Sequence, residues 1–325
     1  MRKNRILNVA LMVLVLFTAL SVCQGIKNAV GTVRGSFDFQ YDSALLFRLR
    51  INPYDETLNP TGLAEKMGLF EYYDKIEANQ FPSLLAILVP FTFLKPHAAN
   101  IAWLVVNIVS TGVIITLEKK LFFKELDNRI ICLMALCMLC GTGWRNNIGN
   151  GQHTIFSFAF FLIAMWLSEK EKTLFSGIAL AISYFKYTLT VPLALYFVYK
   201  KRYKELMISI GLHIVATPIC AWWLKDNVVN MIKKPLQVSG MLSSSGYIDF
   251  GSILHLDSKM GIMLAVLVCS FVLILALLHK KNNDKLYFAI LTYISLIVIY
   301  HRTYDFFVLI VPVGIFISAW MENKG

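Results

Sequence analysis

Long apolar runs separated by short charged clusters constrain the fold of this chain more than any other feature. The chain also has 57% hydrophobic residues and a mean hydropathy of +0.61, which is too apolar for a water-soluble domain. We therefore expect an all-α polytopic membrane protein with a bundle of about ten transmembrane helices. Several runs are shorter than the about 20 residues of a perpendicular span, which predicts tilted, broken or re-entrant segments. The runs lie at about 6–26, 81–95, 97–117, 130–143, 153–168, 173–199, 205–224, 260–278, 285–300 and 304–321.

Basic clusters predict the topology. Lys200-Lys201-Arg202 and Lys280-Lys281 mark inner loops, because short cytoplasmic loops are enriched in Lys and Arg. The basic N-terminus is expected inside, followed by an uncleaved first span, since no small-residue cleavage site follows it. The cluster at Glu118-Lys119-Lys120 would then lie outside against its charge, so the topology of the first half is less well determined.

We expect a single integral membrane domain, 1–325, in the plasma or inner membrane. The orientation above places two loops outside, at 27–80 and 225–259. The first loop holds eight of the twenty acidic residues, and an apolar stripe between Leu63 and Ile76 predicts an interfacial helix or ordinary packing.

Composition also excludes several functions. The net charge of +11 comes mainly from loop clusters, so it is no indication of a nucleic-acid partner. No Gly-x-Gly-x-x-Gly run follows a strand pattern, so we expect no nucleotide-binding domain. We predict no cofactor and no metal site, while assistance by a divalent metal stays open. All six cysteines fall in apolar segments, where a thiol behaves as a small hydrophobe: Cys23, Cys132, Cys137, Cys140, Cys220 and Cys269.

The stretch from Ser36 to Tyr54 carries two carboxylates near the end of the first span. We expect Asp38 and Asp42, four residues apart, to lie on one face of a short helix that ends before Pro53. An alternative is a solvated loop whose acids only keep it out of the lipid.

Two further clusters interrupt the apolar pattern. Between Trp144 and His153, the side chains of Arg145, Gln152 and His153 are potential donors to phosphate or sugar hydroxyls; a turn that needs Gly149 and Gly151 is the alternative. Lys186 lies midway along an apolar run, where a charge is costly and marks a function by default. Snorkelling of this lysine through a helix break near Pro192 is the competing interpretation.

A third cluster, from Tyr300 to Asp305, places a base, a cation and an acid between two apolar runs. Arg302 is suited to hold a phosphate with two parallel hydrogen bonds. His301 and Asp305 are four residues apart and can pair, so that the carboxylate orients the imidazole.

Taken in order, these motifs resemble glycosyltransferase family 87 over about residues 36–312. One of these motifs, Phe81-Pro82-Ser83, is similar to the start of the family's second helix but lacks its doubled proline. The motifs that carry the resemblance are Asp38-Phe39-Gln40-Tyr41, Asn52-Pro53-Tyr54, Phe81-Pro82, Gly151-Gln152 after an Arg-containing turn, the Gly-rich helix leading to Lys186 and Pro192, and His301-Arg302-Thr303-Tyr304-Asp305.

The resemblance implies a C-type glycosyltransferase bundle that uses a polyprenyl-phosphate sugar, in a family that includes mannosyl- and arabinofuranosyltransferases. The expected partners are that donor, a glycan or glycolipid acceptor and membrane lipid. Asp38 occupies the position of the catalytic carboxylate and is expected to be the base of an inverting transfer. Asp42 would bind the acceptor or hold Asp38. The substrate-binding residues are expected to be Tyr41, Tyr54, Arg145, Gln152, Lys186, His301, Arg302 and Asp305.

Within this set, Lys186 and Arg302 would balance the charge of the phosphate. Two other classes of function remain open at this point. A transporter or flippase of lipid-linked glycans would use the same intramembrane charges, although we find no internal hydropathy symmetry. A structural or assembly protein would have no need for the acids of the first loop or the charges at 301–305. A polymerase or ligase of lipid-linked glycans is a close relative of the main hypothesis.

Overall fold

A computed structural model describes residues 2–31, 37–62, 66, 76–242, 254–256, 258–278, 283–298 and 301–322. Within these ranges the regular secondary structure consists of helices, and no strand is present, which confirms the all-α class. The first eight α-helices are α1 (Arg2–Val30), α2 (Tyr41–Arg48), α3 (Pro53–Leu58), α4 (Pro82–Leu88), α5 (Pro96–Leu121), α6 (Asn128–Cys140), α7 (Thr142–Asn150) and α8 (Thr154–Glu169). The others are α9 (Thr173–Ser183), α10 (Tyr187–Leu193), α11 (Leu195–Tyr199), α12 (Tyr203–Leu224), α13 (Val228–Leu242), α14 (Ser258–Leu278), α15 (Asp284–Val298) and α16 (Ile310–Glu322).

Among the described residues, five helical segments are long and apolar enough to cross a membrane, and α7 with α8 is a sixth if this pair, bent by 107°, is one broken span. These spans support a multi-pass membrane protein. Large apolar side chains such as Met207 and Trp222 of α12 are exposed, as expected of a lipid-facing surface. The total of about ten spans and the C-type bundle remain predictions. The five segments are Leu11–Val30, Pro96–Leu121, Thr173–Leu193, Tyr203–Leu224 and Thr303–Met321.

Helix α8 lies at the centre of the bundle. Its side chains Phe158, Phe161 and Leu162 are fully buried in the largest apolar cluster. A second cluster joins the first loop to the bundle, where the ring of Phe39 stacks on Trp103 of α5 at 4.9 Å between centroids. Burial of aromatic side chains is among the largest single contributions to packing, so this contact holds the first loop in place.

The stretch around Asp38 differs from the single helix predicted for it. Residues Phe37–Phe39 form a 3-10 turn, and α2 begins only at Tyr41. Gln40 between them has a φ of 61°, in the left-handed region that non-glycine residues rarely occupy. The change of direction at Gln40 separates Asp38 and Asp42, so the two carboxylates do not share a helix face.

The segment from Trp144 to His153 also differs from the turn that was the alternative interpretation. Residues up to Asn150 are helical, and Gly151 ends α7 with a φ of 68°. Gly149 lies inside the helix and is needed for another reason. A Cβ there would come within 2.9 Å of the Asn28 side chain on α1, so this glycine allows two helices to approach closely.

An ion-pair cluster joins the two predicted outer loops. The Nζ atom of Lys234 on α13 lies 2.7 Å from Asp55 on α3 and 2.6 Å from Asp226. Asn52 also donates to Asp226, over 2.8 Å. Helix α13 is therefore fixed over the first loop. The interfacial helix predicted from the stripe between Leu63 and Ile76 lies almost entirely outside the described residues.

Candidate active site

A polar cleft lies where the first loop meets the bundle, and the empty space within it is about 620 Å³. Part of the lining, the first-loop wall, consists of Asp38, Gln40, Glu77, Asn79 and Gln80. The other part, the bundle wall, comes from the residues just before α8, the break between α9 and α10, α13, and the segment before α16. The lining side chains are Asp38, Gln40, Glu77, Asn79, Gln80, Gln152, His153, Phe185, Lys186, Tyr187, Thr188, Ser239, Arg302 and Tyr304.

Asp38 connects the two walls. The amide of Gln152 donates a hydrogen bond to its Oδ2 atom. Burial raises the pKa of Asp38 to about 6, against the opposing effects of the Gln152 amide and of the positive charges of Lys186 and Arg302. The carboxylate is therefore still ionised at neutral pH, yet is basic enough to take a proton.

Lys186 reaches the cleft because the helix is interrupted there. Residues Tyr184–Lys186 form a 3-10 turn between α9 and α10, with Lys186 at a non-helical φ of −111°. The Thr190 hydroxyl lies 2.9 Å from the carbonyl oxygen of Ser183 and 3.1 Å from that of Lys186, and so satisfies carbonyl groups that the break releases. The snorkelling interpretation also predicted a helix break, and in that respect it agrees with the structure. The break, however, directs the Lys186 side chain toward the interior of the protein.

A buried network stands behind Lys186. Its Nζ atom lies 3.7 Å from Oδ2 of Asp305, which is almost completely buried. The same oxygen lies 2.8 Å from Nδ1 of His301, and Oδ1 accepts a 2.5 Å hydrogen bond from Thr154. The predicted pairing of His301 with Asp305 is therefore present, and the network holds the lysine at the cleft wall.

The predicted site residues thus fall into three groups. Asp38, Gln152, Lys186 and Arg302 line the cleft. His301 and Asp305 lie behind Lys186 and position it. The remaining four, Tyr41, Asp42, Tyr54 and Arg145, are absent from the cleft wall.

The structure gives two of these four a structural role. The Tyr41 hydroxyl donates to the carbonyl oxygen of Leu94 over 2.8 Å. The hydroxyl of the fully buried Tyr54 donates to the backbone carbonyl oxygen of Gln80 over 2.7 Å. Arg145 lies on α7, whose backbone packs against Gly25 of α1. Each hydroxyl donates its proton within the protein, and substrate contact by Tyr41 and Tyr54 stays a prediction.

Replacing Asp42 by asparagine is expected to leave turnover within a few-fold of wild type. Burial raises the pKa of Asp42 to about 8, so at neutral pH the group is mostly neutral and is no base. A carboxyl with a raised folded-state pKa contributes stability that is fully present below its ordinary pKa of 3.8 and is lost progressively as the pH rises to about 8. The Asp42→Asn protein should therefore lose less thermal stability between pH 5 and pH 9 than wild type. An equal loss in both proteins, or a large fall in turnover, contradicts this assignment.

Sequence reasoning missed the segment from Glu77 to Gln80. Its one acid and two amides resembled the end of a solvated loop, and the only available signal was their position directly before the Pro82 helix start. Asp38 and Glu77 are the two carboxylates among the described lining residues. In the part of the chain that the structure describes, no group of three or more His, Cys, Asp or Glu side chains is placed to hold a metal ion.

An apolar groove adjoins the cleft, with an empty space of about 1070 Å³. It runs between two candidate spans, Thr173–Leu193 and Tyr203–Leu224, and Tyr187 lines both cavities. The Tyr187 ring packs on Phe81 at 5.2 Å, and its hydroxyl lies 2.8 Å from that of Ser239. The polar cleft and the apolar groove therefore meet at one side chain. Groove residues include Phe81, Leu84, Tyr184, Val191, Ile210, Ile214, Pro218, Val228 and Ile232.

The family model of glycosyltransferase family 87 matches residues 82–300, which is more than half of the chain. The chain belongs to glycosyltransferase family 87. The suspected family is thus confirmed, and the protein is a membrane glycosyltransferase that acts on a sugar donor and an acceptor. The match includes Gln152 and Lys186, whereas Asp38 and Arg302 lie outside it. No curated protein and no solved structure matches the chain.

Proposed function

We propose that this glycosyltransferase moves a hexose or pentose from a polyprenyl-phosphate donor to a hydroxyl group of a glycan or glycolipid. The proposal rests mainly on one observation, that Asp38, Lys186 and Arg302 line a single cleft. A carboxylate whose pKa is raised to about 6 is suited to take a proton from a hydroxyl group. The two cations are suited to a leaving phosphate.

In the proposed reaction the oxygen of the acceptor hydroxyl forms a bond to the anomeric carbon of the donor sugar. At the same time Asp38 accepts the proton of that hydroxyl. The bond from that carbon to the phosphate oxygen breaks on the opposite face, so the configuration inverts. Negative charge moves onto the lipid phosphate, where Lys186 and Arg302 balance it. Gln152, which donates to Asp38, orients the carboxylate. Asp305 and His301 keep Lys186 in position without contacting the substrate.

The apolar groove supports a lipid-linked donor over a soluble one. A polyprenyl chain needs an apolar surface that is continuous with the phosphate site, and the groove meets the cleft at Tyr187. A nucleotide sugar has no lipid chain and would leave the apolar groove uncovered. The donor would enter from the lipid between the two candidate spans, with its phosphate directed at Lys186.

Purified protein in lipid, offered labelled polyprenyl-phosphate sugars and then nucleotide sugars, tests the proposal. We expect sugar transfer or slow hydrolysis with the first set only. Turnover with nucleotide sugars alone, or movement of a lipid-linked sugar across the bilayer without transfer, would reject it. Mannosyl and arabinofuranosyl donors are the first to try, because the resemblance that the motifs carry includes enzymes for both.

We also propose that the cleft lies on the outer face of the membrane, because both predicted outer loops, 27–80 and 225–259, contribute to its lining. This location predicts a labelling pattern. In a cysteine-free background, a thiol placed at Asp249 should react with an impermeant reagent from outside, whereas thiols at Lys201 or Lys281 should react only after permeabilisation. The N-terminus would then lie inside. Inverse labelling would put the cleft on the cytoplasmic side, where nucleotide sugars are available, and the lipid-linked donor would have to be abandoned.

A further inference from the structure

The two walls of the cleft differ in chemistry. The bundle wall carries the cations Lys186 and Arg302. Among the described lining residues the first-loop wall carries only carboxylates and amides: Asp38, Gln40, Glu77, Asn79 and Gln80. A phosphate group would be repelled from the first-loop wall by Asp38 and Glu77, so this wall is suited to a different part of the substrates.

Gln80 presents an oxygen atom that has no partner within the described residues. Its side chain is only 6% exposed, and its Oε1 atom is buried without a hydrogen bond. The carbonyl oxygen of Phe39 lies 3.2 Å from Nε2 of His153, so in the neutral ring that nitrogen carries the proton and Nδ1 is an acceptor. The NH₂ group of Gln80 lies 3.4 Å from this Nδ1, which leaves Oε1 as the group that needs a donor.

Gln40 is in the same situation. Its NH₂ group donates to Oδ1 of Asn79, and its buried Oε1 atom has no partner among the described residues. The left-handed backbone at Gln40 and the Asn79 contact hold the side chain in the cleft wall, two residues from Asp38. Buried oxygens are normally paired, so two such atoms in one cleft point to donors supplied by a bound molecule.

We propose that Gln40, Glu77 and Gln80 form the acceptor subsite and bind the non-reacting ring hydroxyls of an acceptor sugar. This assignment rests on the proposed function. Hydroxyl groups are donors that satisfy amide and carboxylate oxygens without bringing a negative charge. Gln40 is only two residues from Asp38 in the sequence. An acceptor sugar whose non-reacting hydroxyls bind to Gln40 therefore has its reacting hydroxyl close to the carboxylate of Asp38. The acceptor is accordingly a sugar rather than an isolated alcohol.

The subsite is supported from behind by Tyr54. Its hydroxyl donates to the backbone carbonyl of Gln80 over 2.7 Å, so a change of the Gln80 side chain leaves this contact in place. Substitution at Gln80 therefore tests the side chain separately from the backbone. The exposed Gln24 on α1, whose amide contacts Asn28, provides a matched control.

The test uses the full-length protein in lipid, with the lipid-linked donor that supports turnover and alkyl glycosides of mannose, glucose, galactose and arabinose as acceptors. Gln80→Met should raise the acceptor KM about 3- to 10-fold, and Glu77→Gln about 10- to 100-fold, because bonds to a charged acceptor are stronger. The donor KM should stay unchanged in both variants, as should all constants of Gln24→Met.

Deoxy acceptors give a readout that a structural defect would not reproduce. One deoxy position of the best acceptor should raise KM for wild type but cause little further rise for Gln80→Met, since the lost hydroxyl and the lost amide are partners. An unchanged acceptor KM, an equal rise in donor KM, or independent effects of the two changes would overturn the subsite. If wild type uses no lipid-linked donor at all, the proposed function fails and the subsite fails with it.

Discussion

Replacing Asp38 by asparagine is expected to lower kcat by about 10²- to 10⁴-fold, the range typical of losing general-base catalysis. Asparagine keeps the size of the side chain and its place beside Gln152. It has no basic oxygen to take the acceptor proton, whereas the donor phosphate still meets Lys186 and Arg302. Steady-state turnover and donor binding should therefore separate, with kcat lost and donor affinity retained.

The pH profile provides a second measurement for Asp38. Since its pKa lies at about 6 and only the ionised form is a base, wild-type kcat should rise with pH up to about 6 and then level off. The residual activity of Asp38→Asn should lack this rise. Asp42→Asn is the matched control and should keep the wild-type profile. An active Asp38→Asn beside an inactive Asp42→Asn would transfer the role of base to Asp42, and activity in both would remove the first loop from the chemistry.

Replacing Lys186 by methionine is expected to lower kcat/KM for the donor by about 10- to 100-fold. Hydrogen bonds to charged groups contribute about 1.5–3 kcal/mol, which corresponds to that range. Methionine keeps all but the last atom of the side-chain length, and Asp305 retains His301 at 2.8 Å and Thr154 at 2.5 Å, so the buried carboxylate is not left without partners. We therefore expect a folded protein with weakened donor binding, measured with a labelled lipid-linked sugar.

Lys200→Met is the control for this substitution. Lys200 pairs with Asp284 at a half-exposed position, and neither residue lines the cleft, so its loss should leave the kinetic constants unchanged. Lys186→Arg should retain part of the donor affinity, because the charge remains. If donor binding of Lys186→Met equals that of wild type, Lys186 is a structural cation. A loss of thermal stability in detergent without a kinetic effect on the remaining folded protein would lead to the same conclusion.

Several features of the site could be predicted from the sequence because they depend on the free energy of a single group or on nearby residues. A charge within an apolar run is expensive in lipid, which made Lys186 stand out. Likewise, the spacing of four residues suggested that His301 and Asp305 pair, and they lie 2.8 Å apart, although an extended Arg302 followed by a 3-10 helix brings them together and not an α-helix. The family could be suspected for the same reason, since its motifs are short polar interruptions in apolar helices.

The sequence by itself determined that this protein is helical and membrane-embedded, because continuous apolar runs of about 20 residues satisfy their own backbone hydrogen bonds in lipid as helices. Only the tertiary structure decided which distant polar groups meet. Gln40 in a left-handed conformation separated Asp42 from Asp38, and Phe39 stacked on Trp103 brought Asp38 to Gln152. No local pattern indicates the contacts of Phe39 with Trp103 and of Asp38 with Gln152, because they join residues more than sixty positions apart and depend on how whole helices pack.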